Sequence, residues 1–149
     1  MAQKERILKM PLHNHLLLNG YMTKPPMDKE AVMKWLEDLV AEIGMKVAAG
    51  PIASYVTKEG NRGMTVGCLI ETSHIAMHVW DETTPSFVQF DLYTCSTLSA
   101  DTVIRNLVEN FGLHNYVHMV LERSEGFNIV SSDTSALVES EFPQDTLPF

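Results

Sequence analysis

Ser73, His74, His78 and Cys95 are residues whose types could do chemistry, and they crowd into a short stretch of the chain. An imidazole titrates near neutrality and can move a proton. A thiol's acidity is set by its surroundings. The spacing of these residues does not name a reaction. His74 and His78 stand four apart in His74-Ile75-Ala76-Met77-His78, a stretch that reads as a strand. On a strand their ends lie about 13 Å apart, so they make poor partners for one metal ion, and none is expected. His114 and His118 repeat the spacing and meet the same objection. A cysteine is most often a small hydrophobe, so Cys95 alone is no sign of chemistry. Cys68, between Gly67 and Leu69, reads as core. A Ser-His pair such as Ser73-His74 is too common to carry weight alone.

Strand alternation is more informative. From His74 to Trp80, one face carries Ile75, Met77 and Val79, and the other carries His74, Ala76, His78 and Trp80. From Phe87 to Cys95, Val88, Phe90 and Leu92 share a face with Thr94. Phe87, Gln89, Asp91, Tyr93 and Cys95 share the opposite one. The aliphatic faces are expected to pack under helices. The others bring together imidazoles, an indole, a carboxylate, a phenol and a thiol. An antiparallel sheet can wet one face, but Trp80 and Tyr93 are costly to leave there. A site or a dimer interface on that face explains them better.

The elements that position these faces follow from periodicity. Leu12 to Asn19 reads as a strand. Asp28 caps a helix to about Ile43, with Val32, Trp35, Leu36, Leu39, Val40 and Ile43 on one face and Gly44 as its stop. Lys46 to Val56 reads as a strand bent near Gly50-Pro51, and Lys58 to Gly63 as a hairpin turn. Met64 to Ile70, His74 to Trp80 and Phe87 to Cys95 are strands. A second helix runs from Ser99 to Gly112, with Val103, Ile104, Leu107, Val108 and Phe111 inward, and Asn115 to Glu122 is the last strand. The order β-α-β-β-β-β-α-β indicates an α+β two-layer sandwich, an antiparallel sheet with two helices on one face. One domain is expected over residues 1–124. Residues 125–149 are acidic and serine-rich and read as a flexible tail, or else as a docking segment using Phe127, Ile129, Leu137 and Val138.

Composition closes off several classes. Apolar residues make up 45% and charged residues 20%, an ordinary globular balance. A net charge of -8 argues against nucleic-acid binding, which needs a basic patch. No apolar run is long enough to span a membrane. Met1 to Lys9 lacks the apolar centre of a signal peptide, and two cysteines make no disulfide framework, so a cytoplasmic protein with free thiols is expected.

The segment Thr72-Ser73-His74-Ile75-Ala76-Met77-His78-Val79-Trp80-Asp81-Glu82 resembles the processing motif of prokaryotic S-adenosylmethionine decarboxylases, roughly E-S-H-[aliphatic]-[small]-[aliphatic]-H-T-W-P-E. Seventeen residues after His78 comes Cys95, in Asp91-Leu92-Tyr93-Thr94-Cys95, similar to the family's D-[aliphatic]-[aromatic]-T-C segment. Two motifs in order, at nearly matching distance, are far more specific than either alone. The resemblance covers most of residues 12 to 123 and is strong from about 65 to 95. The chain departs from the pattern at Thr72, where the family has Glu; Glu71 stands one place back. Asp81 stands for the family proline and Ser96 for a common glycine.

The resemblance implies a short-form, pyruvoyl-dependent S-adenosylmethionine decarboxylase made as a proenzyme. It implies self-cleavage between Thr72 and Ser73, giving a β chain of 1–72 and an α chain from 73. The serine hydroxyl attacks the preceding carbonyl, the resulting ester is eliminated, and dehydroalanine hydrolyses to the pyruvoyl group. Ser73 is then the pyruvoyl precursor and His78 assists processing. Thr65, eight residues before Ser73, takes the place of a processing serine. The pyruvoyl carbonyl holds substrate as a Schiff base, with Cys95 as proton donor. Trp80 stacks on adenine or faces the sulfonium, and Glu82 accepts from the ribose. The product is the aminopropyl donor for spermidine, and the processed protomers form a homodimer with residues of both near the site. Two other readings remain open: a pyruvoyl decarboxylase of arginine or ornithine, and an unprocessed homologue that binds a nucleoside ligand or a partner protein.

Overall fold

A computed structural model describes residues 12–134. Seven strands and two helices follow in the order β1 (Asn14–Met22), α1 (Lys29–Glu42), β2 (Val47–Val56), β3 (Gly63–Ile70), β4 (Ser73–Trp80), β5 (Ser86–Thr94), α2 (Ala100–Phe111), β6 (Leu113–Glu122) and β7 (Asn128–Thr134). The strands form one antiparallel sheet in the order β2-β3-β4-β5-β1-β6-β7. Strands β2 to β5 are a meander. The first strand lies between β5 and β6, in the middle of the sheet.

Both helices begin on side-chain caps. Asp28 Oδ1 accepts from Ala31 N–H at 2.7 Å, and Ser99 Oγ accepts from Thr102 N–H at 3.3 Å. The second helix ends at Gly112, whose φ of 65° is left-handed; a Cβ there would lie 2.0 Å from Thr23 Oγ1. The helices pack on the same sheet face and on each other. Trp35 meets Phe111 edge-on at 4.7 Å, and its buried indole N–H donates to Asn106 Oδ1 at 2.6 Å. Asn106 Nδ2 in turn donates to Glu42 Oε2 at 2.8 Å.

The core takes alternate residues of the central strands: Leu16, Leu18 and Met22 from β1, Ile75, Met77 and Val79 from β4, and Val88, Phe90 and Leu92 from β5. The rows from β4 and β5 are the aliphatic faces that alternation assigned. Cys68 is buried among them. The expected bend in β2 appears as register shifts on either side of Ala49. No described helix is long and apolar enough to cross a membrane.

The structure corrects two readings. Val108, expected inward on the second helix, is exposed, because it lies off the stripe of Val103, Ile104, Leu107 and Phe111 that packs on the sheet. Residues 128–134 are not part of a flexible tail; they form β7, paired antiparallel to β6 from Glu122↔Asn128 to Val117↔Thr134. An edge strand can be held by backbone hydrogen bonds without a buried side-chain face, and Ile129 and Val130 are indeed exposed. The rest of the expected tail, with Leu137 and Val138, and the segment Met1 to Lys9 lie outside the described residues.

Candidate active site

The chain between β3 and β4 turns in two residues, Glu71 and Thr72, because Ile70 pairs directly with Ser73. Thr72 takes the left-handed conformation, φ 58°, which β-branched residues seldom adopt. The turn delivers Ser73 to the start of β4, where its side chain is buried with the helix-side row of Ile75, Met77 and Val79. Cys95 follows the last residue of β5. Its backbone N–H donates to Ser73 Oγ at 3.1 Å, and its Sγ lies 2.7 Å from Thr72 Oγ1 and 3.8 Å from the Glu71 carbonyl oxygen. The Thr72 hydroxyl also reaches that carbonyl, at 2.7 Å. Thr72, Ser73 and Cys95 are therefore one hydrogen-bonded cluster. The Thr72 hydroxyl, and after it the Ser73 hydroxyl, hold the Cys95 thiol below its usual range, while burial and the Glu71 carboxylate oppose them.

Thr65 and His78 make a second pair. They are direct partners across β3 and β4, and Thr65 Oγ1 lies 3.2 Å from His78 Nδ1. The structure brings each pair together but does not join the two. Ser73 and His78 are five residues apart on one strand, roughly 16 Å, and the odd separation turns them to opposite faces of the sheet. Trp80 lies further along, with its ring 6.3 Å from that of His78 and 5.6 Å from Phe87. Glu82 is engaged in structure: its Oε1 accepts from the N–H groups of Gly60 at 2.7 Å and Arg62 at 2.9 Å, closing the β2–β3 turn. Asp81 ties the same corner, accepting from Arg62 Nε at 2.9 Å and Tyr55 OH at 2.6 Å.

On the open sheet face, His74, Asp91 and Tyr93, which the sequence reading placed there, form a network with His13, His15 and Arg123, which it left out. Asp91 Oδ1 bonds His15 Nε2 and lies 3.6 Å from His74 Nε2. Arg123 Nη1 reaches His15 Nδ1 at 3.0 Å, and its guanidinium lies 4.7 Å over the Tyr93 ring. The Tyr93 hydroxyl meets His13 Nδ1 at 2.7 Å. Alternation contained a signal for it: burial of Leu16 and Leu18 turns His15 to the face of Asp91. Among the described residues, His15, His74 and Asp91 place three ligand-type atoms within 4.8 Å of one another. Arginine can only donate, so His15 Nδ1 accepts and the Nε2 proton points at Asp91. In this arrangement His15 has no lone pair to offer a cation.

Next to that network, the same face has an apolar concavity whose floor is the Gly67–Ala76 pair, with Ile52 and Leu69 exposed at its walls and His74 and His78 at its margin. Ala76 lies midway along β4, between the Ser73–Cys95 and Thr65–His78 pairs.

Known proteins provide an independent measure. The family model described as S-adenosylmethionine decarboxylase matches residues 14–124. A relative from Archaeoglobus fulgidus, S-adenosylmethionine decarboxylase proenzyme, is 28% identical over 116 residues, covering 76% of this chain and 99% of that one. A solved structure, the Trypanosoma brucei AdoMetDC-delta26 monomer, aligns with a TM-score of 0.42 and 14% identity, over 74% of this chain and 45% of that one.

Proposed function

The chain belongs to the S-adenosylmethionine decarboxylase family, and from that membership we propose that it decarboxylates S-adenosylmethionine after cutting itself between Thr72 and Ser73. The observation that carries this reading is the contact between Ser73 and Cys95. Residues 22 positions apart in sequence meet where the reaction needs both a hydroxyl to convert and a proton to deliver.

The residues present fit a pyruvoyl group. Serine at 73 has the side-chain oxygen that can attack the Thr72 carbonyl carbon, exchanging the amide for an ester and freeing the Ser73 nitrogen. Expulsion of the Thr72 carboxylate and loss of ammonia on hydrolysis would then leave a ketone at the start of β4. Once formed, that group supplies an electron sink for the pair left behind as carbon dioxide departs. The protein's own residues do the rest. The Cys95 N–H orients the oxygen at 73, and the Cys95 Sγ holds a proton beside it. His78, its ring held by Thr65, serves as base for the processing elimination. Trp80 offers an aromatic face to the adenine or the sulfonium. The product would be the aminopropyl donor for spermidine. Glu82 could meet the ribose only by giving up its bonds to the turn.

The separation of the two pairs supports a homodimer. A two-fold axis through the concavity at Gly67 and Ala76, near the middle of β4, would set the Thr65–His78 end of one copy against the Ser73–Cys95 end of the other. Each site would then be completed by its partner, and the exposed Ile52 and Leu69 would be covered.

Intact mass and carbon dioxide release test the reading together. The purified chain is expected to yield two fragments, the second blocked at its amino terminus by a keto group. Labelled S-adenosylmethionine is expected to release carbon dioxide, with arginine and ornithine as competing candidates. Cys95→Ala should still cut but turn over poorly. A chain that stays whole after long incubation would overturn the proposal.

A further inference from the structure

Thr72 combines a β-branched side chain with a left-handed backbone, φ 58°. Glycine or asparagine would take that conformation with less strain. What threonine brings to this position is a hydroxyl. Its Oγ1 lies 2.7 Å from the Glu71 carbonyl oxygen and 2.7 Å from Cys95 Sγ. One rotatable proton therefore has two acceptors in reach. When the sulfur carries its own proton, S–H donates to Oγ1 and the hydroxyl donates to the carbonyl. When the sulfur is ionised, the hydroxyl turns and donates to it. Oγ1 thus has a hydrogen bond to offer in both protonation states and keeps the sulfur in one place as its proton leaves and returns.

We propose that Thr72 is a positioning residue for the Cys95 proton, fixing the sulfur beside Ser73 through a hydroxyl that exchanges partners when the thiol ionises. The inference rests on the decarboxylase reading, in which Cys95 Sγ delivers the proton to the product. It gives threonine a role of its own at the position where the family motif has Glu. Ser73 supports the same sulfur, and Glu71 is the charged group that acts against its ionisation.

The test is alkylation of Cys95 by iodoacetamide across a pH series, read by intact mass on the full chain, with whole chain and fragments resolved. Thr72→Val keeps the shape and removes the hydroxyl; Thr72→Ser keeps the hydroxyl. Thr72→Val is expected to slow labelling at pH 7 by about fivefold and to move the profile to higher pH, because a bond to the charged sulfur is lost. Thr72→Ser should stay within about twofold of the parent. Cys68, buried and with its thiol pushed up by that burial, should stay unlabelled and report an intact fold. Labelling of Cys68 in Thr72→Val would mark unfolding, and Thr72→Ala then takes its place. Superimposable profiles for the parent and the hydroxyl-free variant overturn the proposal. Labelling does not depend on turnover, so a shifted profile with no carbon dioxide from S-adenosylmethionine would count against the decarboxylase reading alone.

Discussion

Cys95 and Ser73 are joined by a bond from backbone to side chain: the Cys95 N–H donates to Ser73 Oγ at 3.1 Å. The hydroxyl oxygen accepts there and keeps its own proton available. Ser73→Ala removes the oxygen proposed to attack, so cleavage should stop altogether and intact mass should show one chain. The orphaned N–H is expected to destabilise the fold by only about 1–2 kcal/mol. Fragments from Ser73→Ala would mean that another residue is the nucleophile.

His78 and Thr65 should behave as a unit in processing. His78→Phe should slow the appearance of fragments by about a hundredfold or more, the usual scale for losing a positioned base. Thr65→Val should slow it less, and the double variant should be no slower than His78→Phe. Cleavage half-times on a denaturing gel give the comparison. Additive effects would show that the 3.2 Å contact between them is not functional.

Cutting the chain should itself change Cys95. Conversion of Ser73 removes one hydroxyl from the sulfur's surroundings, and Thr72 gains a terminal carboxylate within reach of it. Both changes favour the protonated thiol. In a partly processed sample, iodoacetamide should label Cys95 more slowly in the cut species than in the whole chain at the same pH. Faster labelling after the cut would contradict this.

The helix layer is stapled by polar bonds that lie away from the site. Asn106→Ala leaves the buried Trp35 N–H without its acceptor and should destabilise the protein by about 1–3 kcal/mol. At about 2–4 °C for each kcal/mol in a chain this size, the melting temperature should fall by several degrees, with cleavage rate unchanged. Arg105, and after it Asn106, hold the Glu42 carboxyl below its ordinary range. A carboxyl shifted downward stabilises the fold above its unfolded pKa, and the effect disappears as pH falls through the folded value. Melting curves of the parent and Glu42→Gln should therefore differ near neutrality and converge in acid.

Much of the fold was legible because alternation and caps are local signals. Asp28, Ser99 and Gly112 marked helix ends, and the two faces of residues 74–80 separated as the period of two requires. Strand β7 was not legible, since Ser131, Ser132 and Asp133 have no apolar period and the strand is held by backbone pairing. The central position of β1 depends on partners 64 to 108 residues away, which no local pattern encodes. In the site, Ser73, Cys95, Thr65 and His78 came from motif resemblance, and the structure adds which of them touch. What the Thr72 hydroxyl touches was not legible, because in the sequence the residue stands out mainly for the Glu it replaces. Its usefulness depends on a left-handed turn that threonine does not advertise.

The insertion of β1 between β5 and β6 has a bearing on what scission would leave behind. Strands β1 to β3 precede the cut and β4 to β7 follow it, so in the order β2-β3-β4-β5-β1-β6-β7 the two fragments alternate. They share three ladders: β3 with β4, β5 with β1, and β1 with β6. Neither piece could leave without stripping a strand from the middle of the other's sheet. A severed backbone would thus remain woven into one body, free to exchange a peptide bond for a reactive end without loosening the scaffold that aims it.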